Sequence, residues 1–278
     1  MIAVSEITKK NIDSYIADPT SVVLIHGVEG SGKSQLVDEI IGRLKNDNQN
    51  PLETIVIDRL GQAISIEDVR SLKSKLRLKV VKHSEHSKRI VVINNAETMT
   101  HEAQNSLLKL IEDVPDDTMF ILTSDVENKL LPTVRSRTQQ IYVGRPTKQI
   151  FYNKYPDINR QELDRTIKMV DGRARYLDEI ISGDNTKLNE TFVLAKQFVV
   201  SKYFDRLCQI DNILKNFDLK TFIFCLEQIF RSLLLGNIEK KQSEKYLASL
   251  KLLVNIEHDL DNASPNTKLL LTNLALNL

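Results

Sequence analysis

Five short β-branched runs alternate with longer stretches in which apolar residues lie three and four positions apart. The runs are SVVLIHG (21–27), ETIVID (53–58), RIVVIN (89–94), MFILTS (119–124) and QQIYV (139–143). Short apolar runs of this kind indicate strands, and the three-and-four spacing indicates amphipathic helices. Because strands and helices alternate, the pattern predicts an α/β domain with a parallel sheet over residues 1–145.

After position 145 the strand-like runs stop and the helical spacing continues. NRQELDRTIKMVDG and RARYLDEIISG, separated by a turn at Asp171-Gly172, predict a small helical domain over residues 146–186. Residues 187–278 are helical throughout in pattern, including FVLAKQFVVSKYFDRL and LKTFIFCLEQIFRSLLL, and predict an all-α packing or oligomerisation domain. Ser264 is predicted to cap the last helix, KLLLTNLALNL.

Composition indicates a soluble, folded protein of two or three domains. The chain has 278 residues, of which 41% are hydrophobic and 27% are charged. Its formal net charge is +1, so the overall field does not attract nucleic acid strongly, and a DNA contact would need a local basic patch.

The two cysteines and the lack of a long apolar stretch predict a cytoplasmic location. Cys208 and Cys225 lie in apolar helical patterns without metal-ligand spacing, so we expect both to be core thiols of a reducing compartment. No window approaches the roughly 20 apolar residues that cross a bilayer, so no membrane association is expected. No zinc site is expected either.

A phosphate-binding loop is the strongest motif in the sequence. GVEGSGKS matches G-x-x-x-x-G-K-[ST] and lies between a predicted strand and a predicted helix, which is where backbone N–H groups can surround phosphates. Lys33 would reach the terminal phosphates of ATP, and Ser34 would bind Mg²⁺. The candidate nucleotide-binding residues are Gly27, Glu29, Gly30, Ser31, Gly32, Lys33 and Ser34.

The strand RIVVIN ends in amides where a hydrolysing P-loop ATPase needs acids. Asn94 and Asn95 follow the apolar run, and an amide can neither take a proton from water nor bring charge to the metal. We therefore predict that ATP is bound and that its hydrolysis is negligible. The alternative is that Glu97, two residues further on, is the catalytic base.

The segment from Asn94 to Ile141 resembles the bacterial clamp-loader subunits of DNA polymerase III, the delta prime and gamma/tau polypeptides. In that family a helix reading N-x-L-L-K-x-L-E-x-P-P is followed by a threonine-rich strand end and by L-P-T-x-x-S-R-C. The matching residues are Asn105, Leu107, Leu108, Lys109, Glu112, Pro115, Leu131, Pro132, Thr133, Ser136 and Arg137.

The resemblance implies an AAA+ nucleotide domain, a helical lid and a helical collar within a hetero-pentameric ring. Its implied partners are the other clamp-loader subunits, the sliding clamp and primer-template DNA. Arg137 resembles the arginine finger that acts on the ATP of a neighbouring subunit, with a surface salt bridge as the alternative role. Ser124, or its neighbour Thr123, resembles sensor 1, and Arg175, or Arg173, resembles sensor 2.

The resemblance implies a DNA contact for a basic run, because the corresponding helix of clamp loaders faces the primer-template duplex; a solvated helix face is the alternative. The run contains Arg70, Lys73, Lys75, Arg77, Lys79 and Lys82. Arg70 and Lys73 are the best candidates because their helical spacing would present both to one phosphate backbone.

Three functions remain open at the level of sequence: a delta prime-like subunit, a hydrolysing gamma/tau-type ATPase, and an unrelated P-loop ATPase. The amide pair Asn94-Asn95 favours the first, whereas the intact phosphate loop, which many delta prime subunits have lost, weighs against it. This chain also departs from the family at Thr138, which replaces the usual cysteine, and lacks the four-cysteine zinc module.

Overall fold

The computed structural model contains a five-stranded, wholly parallel sheet in the first half of the chain. The structure describes residues 3–48, 52–59, 62–77, 88–183, 186–236, 240–260 and 265–278. The strands are β1 (Val22–His26), β2 (Leu52–Ile57), β3 (Lys88–Ile93), β4 (Thr118–Ser124) and β5 (Gln139–Tyr142). Their order is β2-β3-β4-β1-β5. The predicted α/β fold with a parallel sheet is therefore confirmed.

Helices connect the strands and cover both faces of the sheet. They are α1 (Glu6–Ala17), α2 (Lys33–Asn48), α3 (Ile66–Arg77), α4 (His101–Glu112), α5 (Pro132–Arg135) and α6 (Lys148–Lys154). Alternate strand residues point to opposite faces. Thus Val91, Ile93 and Phe120 pack in a core with α3 and α4, whereas Val92 and Ile121 pack in a second core with α1 and α2. Burial on both faces explains why these strands read as continuous apolar runs.

The rest of the chain is all α, which confirms the predicted helical C-terminal region. Its helices are α7 (Arg160–Met169), α8 (Ala174–Ser182), α9 (Thr186–Val200), α10 (Tyr203–Asn216), α11 (Leu219–Gly236), α12 (Lys240–Leu260) and α13 (Thr267–Asn277). Among the described residues no helix is both long and apolar enough to cross a membrane.

By its contacts the chain divides into two compact units. One comprises Met1–Leu163 with Gly172–Arg175, and the other comprises Asp164–Asp171 with Tyr176–Leu278. The short segment Gly172–Arg175 therefore belongs with the sheet. The division into three domains at 145 and 186 stays a prediction.

Two predictions for the helical region were wrong. Cys208 is exposed, although Cys225 is fully buried as expected. The last helix begins at Thr267, where the side chain of Asn266 accepts a hydrogen bond from the backbone N–H of Leu269 at 3.0 Å. Asn266 is thus the N-cap residue, whereas Ser264 lies outside the described residues.

The segment FVLAKQFVVSKYFDRL, which has helical spacing throughout, is divided between α9 and α10. Arg206 of α10 is 8% exposed, and its guanidinium donates hydrogen bonds to the carbonyls of Phe198 and Val199, each at 2.9 Å. Both carbonyls belong to the last turn of α9, where carbonyl groups have no N–H partner within the helix. Arg206 therefore stabilises the end of α9, although burial lowers its pKa.

Replacing Arg206 by methionine is expected to destabilise the protein by about 2 kcal/mol, because the carbonyls of Phe198 and Val199 lose charged donors. Urea unfolding measures the change. Lys215→Met is the matched control, since it removes an exposed cation from the same helix. Equal stability of the two variants would show that the Arg206 hydrogen bonds contribute nothing net.

Candidate nucleotide site

The phosphate loop joins β1 to α2 at the carboxyl edge of the sheet. Gly27 is closely surrounded, because a Cβ atom there would lie 2.6 Å from the carbonyl oxygen of Val143. Gly32 has a φ of 96°, which favours glycine. The Gly27 N–H donates to the Ser124 carbonyl at 3.2 Å, so the loop is fixed to the end of β4.

Lys33 is the first residue of α2, and its ammonium group is buried in the loop. Its side chain is 7% exposed, and Nζ donates to the carbonyl oxygens of Gly27 at 2.8 Å and Val28 at 3.0 Å. Nζ also forms an ion pair with Asp125, the residue that follows β4. An ammonium has three donors, and these three contacts use all of them.

A second carboxyl group, that of Glu97, lies near Asp125. Glu97 belongs to a 3₁₀ turn, Ala96–Thr98, that follows β3. Burial and then the negative charge of Asp125 raise the pKa of Glu97, an effect that nearby backbone donors and the Ser124 hydroxyl partly offset. Its buried Oε2 atom has no hydrogen-bond partner among the described residues. Glu97 is therefore a buried carboxyl group that lies near Asp125 and has one oxygen without a hydrogen-bond partner among the described residues.

His26 precedes the loop and adds no positive charge there at neutral pH. Its Nδ1 atom lies 2.7 Å from a carboxylate oxygen of Glu127. The pKa of His26 is lowered by burial first and by the charge of Lys33, although Glu127 raises it. Lys33 is thus the cation that phosphates would meet in the phosphate loop.

The amide pair that replaces the hydrolytic acids connects three strand ends. Asn94 donates from Nδ2 to Asp58 at 3.0 Å, and its Oδ1 accepts from the Thr123 hydroxyl at 3.4 Å. Asn95 has a left-handed backbone (φ 51°, ψ 51°) and donates its N–H to the Thr123 hydroxyl at 3.1 Å. Asparagine tolerates this conformation better than most residues. The pair therefore has a structural role in β2, β3 and β4.

The two sensor 1 candidates have different surroundings. Thr123 is engaged by Asn94 and Asn95, as described above. Ser124 is fully buried at the end of β4, opposite His26 in the sheet register, and lies close enough to Glu97 to affect its pKa. Ser124 is therefore nearer to the acidic groups of the site.

Both sensor 2 candidates lie against the phosphate loop. Arg173 donates from Nη1 to the Glu29 carbonyl at 3.1 Å. Arg175 donates its backbone N–H to the Gly30 carbonyl at 2.9 Å, and its side chain is exposed. The segment Gly172–Arg175 thus lies at the loop, and the Arg173 side chain contacts it.

Arg137, the arginine-finger candidate, lies at the surface just after α5. Its guanidinium is 40% exposed, forms an ion pair with Glu112 at 2.9 Å and donates to the Thr133 carbonyl at 3.1 Å. Both the surface salt bridge and a role towards a neighbouring molecule are compatible with this position.

The DNA candidates Arg70 and Lys73 are exposed on α3. Arg70 lies 4.0 Å from a carboxylate oxygen of Glu67, a contact that leaves it largely in solvent. Lys79 and Lys82, which continue the basic run, lie outside the described residues.

The residues present fit a bound polyphosphate. The loop contributes two left-handed glycines, Gly30 and Gly32, and the buried Ser31 hydroxyl has no hydrogen-bond partner in the part of the chain that the structure describes. Ser34 is exposed in the first turn of α2, where its hydroxyl can reach a metal carried by the nucleotide. The described ranges contain no cluster of three metal-ligating side chains.

Sequence reasoning missed one member of this site, Asp125, although a usable signal was present. Asp125 directly follows a buried strand, and the carboxyl ends of parallel strands meet at one edge of a sheet. Its position is therefore the signal that would have indicated a carboxylate near the phosphate loop. Glu97 was considered only as an alternative base, and its proximity to Asp125 depends on the 3₁₀ turn Ala96–Thr98, which the sequence pattern does not reveal.

Known proteins resemble this chain in sequence. Residues 17–147 match a family model described as DNA polymerase III, delta subunit. The uncharacterized MG007 homolog of Mycoplasma pneumoniae is 30% identical over 182 residues, which are 62% of this chain and 70% of that protein. The delta prime subunit of Escherichia coli DNA polymerase III is 25% identical over 154 residues, 53% of this chain and 44% of that subunit. This chain thus spans less than half of the E. coli subunit.

A solved structure shares the fold over nearly the whole chain. The DNA polymerase III gamma subunit-related protein of Thermotoga maritima has a TM-score of 0.55 at 17% identity and covers 98% of both chains. The parallel sheet, the phosphate loop and the helical C-terminal region are those of an α/β AAA+ fold followed by an all-α region. In sequence the chain is a relative of the delta prime subunits of DNA polymerase III clamp loaders.

Proposed function

We propose that this protein is a clamp-loader subunit that binds ATP with Mg²⁺ and hydrolyses it negligibly. The observation that supports binding is the buried ammonium of Lys33. The carbonyls of Gly27 and Val28 hold it in the loop, and its third donor binds an anionic group, the Asp125 carboxylate. The loop N–H groups and the start of α2 would stabilise the phosphates.

Negligible hydrolysis follows from the groups that surround the loop. Ser34 would hold the Mg²⁺ ion, which when bound would neutralise charge on the phosphates. The end of β3, however, carries amides where a metal-binding acid would be needed. The Asn94 side chain is also engaged by Asp58, and neither amide can take a proton from water as a base would.

The role in an assembly rests on surface residues and on the family. We propose that Arg137 acts on ATP bound by a neighbouring subunit of a hetero-pentameric ring, and that Ser124 and Arg175 sense the phosphates of this chain's own ATP. The ring would load the sliding clamp on primer-template DNA in the cytoplasm, with Arg70 and Lys73 contacting phosphates of the DNA.

A hydrolysing subunit of gamma/tau type is the second candidate, and the position of Glu97 favours it. Glu97 is an acid with a raised pKa near Ser124 and Asp125, which is the character of a general base. One pair of measurements separates the two functions: equilibrium binding of ATP and its turnover by the purified chain. We expect binding with turnover far below 1 per second, whereas turnover near about 1 per second would establish the second function.

A further inference from the structure

The three contacts of the Lys33 ammonium differ in origin. The carbonyls of Gly27 and Val28 belong to the loop itself, so these two contacts shape the loop. The third contact, with Asp125, comes from the end of β4 and carries a full negative charge. A phosphate oxygen can reach the ammonium only at a donor that the loop does not use, and that donor is the one occupied by Asp125.

The surroundings keep Asp125 on Lys33. Within the described residues, Lys33 is the cation within ion-pair distance of Asp125. His26 has a lowered pKa and carries no compensating charge at pH 7, and Glu97 adds a second acid near Asp125. An anionic nucleotide would therefore approach a lysine that is already neutralised and acids that repel it.

We propose that Asp125 is a built-in competitor for Lys33 that sets how tightly this site holds a nucleotide. The proposal rests on the proposed binding of ATP at the phosphate loop. The Asp125 carboxylate and a nucleotide phosphate bind the same donor, so the nucleotide must displace the carboxylate, and the displaced carboxylate then repels the phosphates. The affinity of the site for ATP is therefore lower than it would be if Lys33 had no ion pair with Asp125.

Removal of the Asp125 charge should therefore increase affinity. Asp125→Asn is close to isosteric, and we expect it to bind ATP with Mg²⁺ about 10-fold more tightly than the unmodified protein. A gain of affinity is informative because damage to the fold would produce a loss. Asp125→Ser, which removes the same charge with a smaller side chain, is the second variant.

Asp116→Asn is the matched control. Asp116 is exposed and precedes β4, whereas Asp125 follows it, so the two acids lie at opposite ends of one strand. The control removes one negative charge from the same unit without touching the loop. Its affinity for ATP should stay within about 2-fold of the unmodified protein, because an exposed charge at that distance is screened.

Titration calorimetry with ATP and Mg²⁺ on the full chain decides the proposal. Tighter binding by Asp125→Asn or Asp125→Ser, with Asp116→Asn unchanged, supports it. Equal or weaker binding by both folded Asp125 variants overturns the proposal while leaving nucleotide binding in place. Failure of the unmodified protein and of all variants to bind ATP would overturn both the competitor and the proposed function.

Discussion

Replacing Lys33 by alanine is expected to weaken ATP binding about 1,000-fold, the equivalent of about 4 kcal/mol. The variant loses a buried ammonium that the Gly27 and Val28 carbonyls hold in place. It also leaves the Asp125 carboxylate without its cation, so a negative charge remains where phosphates would bind. Equilibrium titration with ATP and Mg²⁺ measures the change.

Lys45→Ala is the control for this variant. Lys45 lies in the last turn of the same helix, α2, and is exposed, so its removal changes net charge equally and leaves the loop intact. Its ATP affinity should be unchanged. If Lys33→Ala bound ATP as tightly as the control, the phosphate loop would not be the nucleotide site.

Replacing Arg137 by alanine is expected to lower ATP turnover by the neighbouring subunit about 1,000-fold in a reconstituted clamp loader. A permanently charged guanidinium that stabilises the transition state in trans has an effect of that order. The group is available for this role because it is 40% exposed and its ion pair with Glu112 is a surface contact. ATP binding by this chain itself should not change.

Two further variants separate the finger from a surface salt bridge. Arg137→Lys keeps the charge but loses the planar fork, and it should recover only a small part of the turnover. Arg165→Ala removes an exposed arginine elsewhere and should have no effect. Normal turnover of the assembly with Arg137→Ala, together with a small loss of stability, would leave Arg137 only the salt bridge.

The central strands β3 and β4 could be predicted closely from sequence because they are buried on both faces. RIVVIN predicted a strand where β3 occupies Lys88–Ile93, and MFILTS predicted β4, in which every residue of Thr118–Ser124 is buried. Such strands contain few polar residues, so they form continuous apolar runs that are easily recognised. The phosphate loop could be located for a similar local reason, since glycines at fixed offsets determine its backbone.

Features that depend on contacts between distant residues could not be predicted. The break between α9 and α10 coincides with the hydrogen bonds of Arg206 to Phe198 and Val199, which no spacing of apolar residues reveals. The exposure of Cys208 depends on which face of α10 packs inward. Likewise, the ion pair between Lys33 and Asp125 joins residues 92 positions apart in sequence.

For the amide pair Asn94-Asn95, the sequence predicted the chemistry but not the structural role. Its chemistry could be inferred from residue type, because amides do not act as bases. Its structural role could not, because the left-handed backbone of Asn95 and the contact of Asn94 with Asp58 appear only in the folded chain. These contacts give a reason, independent of catalysis, for asparagine at both positions.

The most direct test of the central claim, that this chain works as a clamp-loader subunit, is to identify the proteins that co-purify with it. The chain would be tagged at its native locus, and the purified material would be analysed by mass spectrometry. We predict recovery of other clamp-loader subunits together with the sliding clamp or the polymerase. Purification of the chain alone, with none of these partners, would contradict the account.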